Sequence, residues 1–112
     1  LVVLYAPAPE GLGGEDYRRY LAMGTPESVI EALRRRADIN GQTALSTLQK
    51  GPRTIVVTTL SDAEVRLLGA EKADTMETAL NRARKRLQAR GISRPTCLLM
   101  PAAGTTVPLV RA

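Results

Sequence analysis

Two apolar runs constrain this chain more than anything else in it: "LVVLYA" at residues 1 to 6 and "RTIVVTTL" at residues 53 to 60. Neither alternates apolar with polar residues, so neither suits a strand with one wet face. An unbroken run of β-branched and large apolar residues belongs to a strand covered on both sides, and such strands make parallel sheets clothed by helices. A third run, "TCLLMPA" at residues 96 to 102, is expected to add a strand that Pro101 interrupts, and the tail "GTTVPLV" a short edge segment. The stretches between these runs have helical periodicity. The expected fold is therefore α/β, a three-layer α/β/α arrangement with a mostly parallel, Rossmann-like sheet. At 112 residues, 1–112 reads as a single domain.

The helices announce their ends. Glu15 and Asp16 suit the positive end of a helix carrying Tyr17, Tyr20 and Leu21 on its apolar side. Thr25-Pro26-Glu27 supplies a capping hydroxyl, a proline that forfeits no needed donor and an acid, ahead of Val29, Ile30 and Leu33 on one side. A third helix is expected from about Gly41 to Leu48, with Ala44, Leu45 and Leu48 inward, until Gly51-Pro52 breaks it. Ser61 and Glu64 have capping-box spacing for a short helix ending at Gly69. Thr75 opens the longest helix, to about Arg90, with Met76, Leu80, Ala83 and Leu87 as its apolar stripe and Gly91 as its exit.

Composition narrows the chemistry. The chain has no Phe, no Trp and three Tyr, so its core is aliphatic. It has no histidine and one cysteine, Cys97, which excludes a zinc site and a Ser–His or Cys–His catalytic set built from this chain alone. Cys97, inside an apolar run, is expected to be a small buried hydrophobe. No run approaches the ~20 apolar residues that span a bilayer, and "LVVLYA" lacks a basic leader, so a cytoplasmic location is expected. Net charge is +5, concentrated in "RRR" at 34–36 and "RARKR" at 82–86. These arginines fall on polar helix sides without aromatic platforms, so they read as solvated faces and nucleic acid is not the expected partner. The chain begins without Met and starts at once in a strand, which reads as a piece of something longer.

"APAPEGLGGEDYRRYL", residues 6 to 21, raises the functional question. Gly11, Gly13 and Gly14 give the connection after the first strand unusual backbone freedom, either because the turn is tight or because bare backbone there must come close to something else. In an open parallel sheet, ligands collect beyond the carboxyl ends of the strands, where this loop sits. The spacing is neither a dinucleotide fingerprint nor a P-loop. Glu10, Glu15 and Asp16 disfavour a free anion and suit a cation, a hydroxyl or basic groups of another domain. Gln42, after Gly41 at a helix start, is the other polar residue of note, with a surface or capping role as its plainer reading.

The ordered series "LYAPAPEGLGGEDYRRYL", "TPESVIEALRRR", "GQTALSTLQKGPRTIVVTTLSD", "ETALNRARKRL" and "CLLMPAAGTTVP" resembles the C-terminal domain of the nickel-pincer lactate racemase family, over nearly the whole chain. The resemblance implies a two-domain 2-hydroxy-acid racemase or epimerase. In that family a nickel ion in a pincer nucleotide takes a hydride from the substrate and returns it to either face, and the lysine and histidines that serve it belong to the N-terminal domain. On this reading the chain's partner is that N-terminal domain of the same parent, and the small-molecule substrate is a 2-hydroxy acid. The chain itself carries no catalytic and no metal-binding residue. Gly11, Gly13, Gly14 and Glu15 face the cofactor, and Gln42 faces the substrate. Ile39 stands where lactate-specific members carry an aromatic residue, so lactate itself is not implied. The alternative reading is a free-standing α/β module that binds a phosphate or nucleotide.

Overall fold

A computed structural model describes residues 1–107 and 109. Strand β1 is Val2–Tyr5, followed by helices α1 (Glu15–Leu21), α2 (Pro26–Arg35) and α3 (Ile39–Lys50). A 3-10 turn at Gly51–Arg53 leads into β2 (Thr54–Val57), then α4 (Asp62–Leu67), β3 (Glu71–Ala73) and α5 (Met76–Ala89). The sheet is small and wholly parallel, in the order β1-β2-β3. Val3 lies opposite Ile55, and Val57 opposite Ala73.

Alternation along β2 explains why its sequence is apolar throughout. Val56 joins a cluster with Leu21, Val29, Ala44, Leu48 and Val65, contributed by α1 to α4. Its neighbours Ile55 and Val57 join a second cluster with Ala73, Ala79 and Ala83, contributed by β3 and α5. Side chains on a strand point alternately to opposite faces, so β2 is covered on both. Leu21, Ile55 and Val29 are fully buried, and Tyr20 is the one aromatic side chain in the core.

The caps form as their chemistry dictates. Thr25 Oγ1 accepts the Ser28 amide, Thr75 Oγ1 accepts the Thr78 amide, and Ser61 and Glu64 complete the capping box. The third helix starts earlier than its apolar pattern, because Asp38 Oδ1 accepts the Asn40 amide at 2.8 Å and caps it at Ile39.

Four expectations are corrected. Residues 96–102 form no strand: Leu98 and Leu99 are more than three-quarters exposed, and no strand pairs with them. An apolar run becomes a strand only when its backbone meets a partner edge, and none of the described strands pairs with it. Cys97, in that segment, is exposed and not buried. On α5 the face against the sheet is Ala79 and Ala83, while Met76 and Leu80 are 39% and 47% exposed. Small residues let the helix approach the strands, which sets the larger ones on its flank. The third strand is Glu71-Lys72-Ala73, which has a single buried apolar residue and no apolar run to mark it. The edge segment expected at 104–110 lies partly outside the described residues, and Ala103–Thr105 make one 3-10 turn.

Candidate functional site

The loop after β1 is built from the strand outward. Ala6 donates its amide to the Val57 carbonyl at 2.9 Å, prolonging the β1–β2 pairing by one residue. The Pro7 carbonyl then accepts from both the amide (3.2 Å) and the hydroxyl of Thr59, which lies beyond the end of β2. This fastens the connections leaving β1 and β2 to each other at the carboxyl end of the sheet. A turn closes from the Gly11 amide to the Ala8 carbonyl at 3.0 Å. Ala8 has φ +47°, a left-handed value that costs a residue with a Cβ of order 1–3 kcal/mol.

Beyond the turn the loop divides in two. Leu12 is buried in the cluster that includes Val56 and Leu60, and it anchors the loop. Gly13 and Gly14 are exposed, with Gly13 at φ +101°, where glycine pays no steric penalty. Nothing lies within 4 Å of where a Cβ would stand on Gly14, so the backbone there is uncovered. Gly14 is the N-cap of α1 and supplies no side-chain acceptor, and Glu15 and Asp16 follow exposed on the first turn.

Arg18 holds this half in place. Its Nε donates to the Gly13 carbonyl at 3.2 Å, and its Nη2 lies 3.3 Å from Glu64 Oε1. Glu64 Oε2 in turn accepts from both the amide and the hydroxyl of Ser61, at 2.9 Å each. The Ser61 amide and hydroxyl, with the Arg18 guanidinium beside them, hold the Glu64 carboxyl below the usual glutamate range. A chain of charge-assisted hydrogen bonds thus runs from the glycine loop to the start of α4. Sequence reading missed it because residues 18 and 64 are far apart, and only the capping box hinted that Glu64 was committed.

Gln42 lies elsewhere. Tyr17 of α1 shares a 2.9 Å hydrogen bond with Thr47, and the Tyr20 ring packs over Gly41. The start of α3, with Gln42 exposed on it, therefore sits at the C-terminal end of α1, whereas the glycines sit at its N-terminal end. The five residues expected to face a ligand fall into two places, the Gly11–Glu15 loop and Gln42.

Two hollows lie away from both. One, of about 640 Å3, extends from Val2 and Leu4 of β1 past Val56 of β2 to Leu68, with Tyr17 and Thr47 also lining it, and its lining is mainly apolar. The other, of about 350 Å3, lies beside β3, where Lys72 Nζ sits 3.3 Å from Asp62 and 3.9 Å from Asp74. Its charges are mutually paired, with Arg82 on Glu71 at 3.1 Å. No group of three or more His, Cys, Asp and Glu side chains among the described residues is arranged to hold a metal ion. No helix among them is long and apolar enough to cross a membrane. Comparison of the chain with protein families, characterised proteins and solved structures finds no match.

Proposed function

We propose that this chain is the cleft-closing C-terminal domain of a two-domain 2-hydroxy-acid racemase or epimerase of the nickel-pincer type, working in the cytoplasm. On this reading it is a three-layer, Rossmann-like domain that is inactive alone. The motif series in the sequence raises the reading. The observation that carries it is the uncovered backbone of Gly14, next to the exposed Gly13, at the carboxyl end of a parallel sheet, held in place by the Arg18–Glu64 tether. Backbone without side chains lets a bulky group come close, and the tether spares the loop from ordering itself on contact.

The residues present do not fit a nickel-holding role. There is no histidine, and the single thiol, Cys97, is exposed in the segment at 96–100. Any pincer nucleotide is therefore held by the other domain. What this chain offers is peptide N–H groups from the loop, the carboxylates of Glu15 and Asp16 for basic groups across the cleft, and the amide of Gln42 for a hydroxy acid.

The test has two parts. The coding sequence upstream of Leu1 is expected to carry a domain with spaced histidines and a lysine, and a preceding domain of any other kind would overturn the reading. Isolated 112-residue chain, supplied with nickel-pincer nucleotide and an enantiopure hydroxy acid, is expected to leave the enantiomer unchanged on chiral chromatography. Calorimetric titration of the chain with nucleotides decides against the rival: micromolar binding by this chain alone identifies a free-standing nucleotide-binding module instead.

A further inference from the structure

The outer edge of β1 is open. Among the described residues, β1 pairs with β2 on one side and with nothing on the other. Because Ala6 bonds to Val57, and backbone groups alternate along a strand, Leu4 and Val2 address β2 in the same way. Val3 and Tyr5 then turn their N–H and C=O groups to the open side. Val2, Leu4 and Tyr5 are 53%, 42% and 67% exposed, large values for apolar residues in a parallel strand.

Helix α5 carries the matching gap. Arg82 and Arg86 reach Glu71 of β3 from one flank, at 3.1 and 3.5 Å, and Ala79 and Ala83 face the sheet. At 100° per residue, Met76 and Leu80 occupy the opposite flank, on the β1 side, and it is there that they are left exposed. Apolar surface on α5 overhangs the position that a strand beyond β1 would fill.

The chain delivers a candidate to that position. α5 touches β3, β2 and β1, so it crosses the sheet back towards the open edge. Arg86 Nη2 donates to the Pro52 carbonyl at 2.8 Å, which sets the end of α5 beside the start of β2, the end from which a parallel strand must depart. Residues 91–95 can span about 16 Å, against roughly 10 Å for the two strand spacings from β2 to a strand beyond β1. Next comes Thr96–Met100, uncharged, apolar and unpaired, with Leu98 and Leu99 at 82% and 80% exposure.

We propose that Thr96–Met100 is a strap that closes onto β1 as a fourth parallel strand, giving the order β3-β2-β1-β4. A strand-helix-strand crossover that leaves β3 and passes β2 and β1 in this way creates a switch point in the sheet, where the connections after β1 and β4 diverge. Closure brings Pro101–Thr106 alongside the glycine loop and buries Met76, Leu80, Val2 and Leu4 in one step. The inference is independent of the function proposed above.

Amide hydrogen exchange on the full 112-residue chain tests it, with Leu99→Pro as comparison, since proline removes a ladder donor. Val3 and Tyr5 amides are expected to exchange at least tenfold more slowly in the parent than in Leu99→Pro, while Ile55 and Val57 stay protected in both and report an intact fold. Val3 and Tyr5 exchanging at the unprotected rate in the parent would overturn the proposal. So would protection that vanishes on dilution alongside a dimer seen by sedimentation, since the strand would then come from a second copy.

Discussion

Arg18 Nη2 and Glu64 Oε1 lie 3.3 Å apart, joining the loop that leaves β1 to the helix that follows β2. Both side chains reach solvent, so water screens the pair and it contributes little to global stability. Its consequence is local. Arg18→Ala is expected to leave thermal unfolding almost unchanged while speeding amide exchange at Gly13 and Gly14 several-fold. Equal exchange in both proteins would show that Leu12 alone fixes the loop.

Gly41 is packed too closely to accept a side chain. A Cβ there would stand 2.7 Å from the Leu33 side chain and 3.0 Å from the Tyr20 ring, at the meeting of three helices. Gly41→Ala is expected to destabilise the fold by about 1–3 kcal/mol in urea unfolding, the usual cost of overfilling a packed core. Gly14→Ala, with open space around it, should match the parent in the same experiment. On the function proposed above, Gly14→Ala in the two-domain parent should impair turnover more than its effect on stability explains.

Acid should weaken the fold through two carboxylates. The Asn40 amide, with lesser help from Gly41 and the Tyr20 hydroxyl, holds Asp38 below the usual aspartate range, and Glu64 is held low chiefly by Ser61. A group whose folded pKa is depressed stabilises the fold above its unfolded pKa, near 4 for carboxylates, and that contribution is lost as pH falls through the folded value. The melting temperature is therefore expected to hold from pH 7 to about 5 and to fall below about 4. Asp38→Asn combined with Glu64→Gln should flatten that acid limb.

Ile55 is fully buried against Ala73, Ala79 and Ala83. Truncation to alanine there removes a large side chain between small neighbours that cannot collapse into the space. A loss of about 2–5 kcal/mol is expected for Ile55→Ala, with loss of cooperative unfolding as the extreme. Thr75→Ala, which removes only the α5 cap, should cost about 1 kcal/mol.

How far the sequence discloses this fold depends on whether a signal is local. The starts of α2, α4 and α5 were readable because Thr25, Ser61 and Thr75 bond to amides three residues away. β2 was readable because both its faces are covered. β3 was not: Lys72 reaches Asp62 and Asp74 at the edge of the sheet, and a strand held by charged neighbours has no apolar run. The gap between Gly69 and Thr75 was its one trace. Residues 96–102 show the converse, strand composition without a strand. For the site, exposed glycines could be picked out from their spacing, but Arg18 and Glu64 could not, since their meeting depends on tertiary structure. Gln42 and the glycine loop are separated by the direction of α3 against α1, which no local pattern encodes.

The bare flank of β1 also bears on how the protein behaves in a tube. Four consecutive uncharged residues with high sheet propensity, and no lysine or proline among them, are what natural proteins avoid at the rim of a sheet, because such a rim recruits its own kind into ribbons. Where the strap stays open, concentrated stocks are expected to cloud or gel, and Tyr5→Lys, at a ring that is already 67% exposed, is expected to keep them clear.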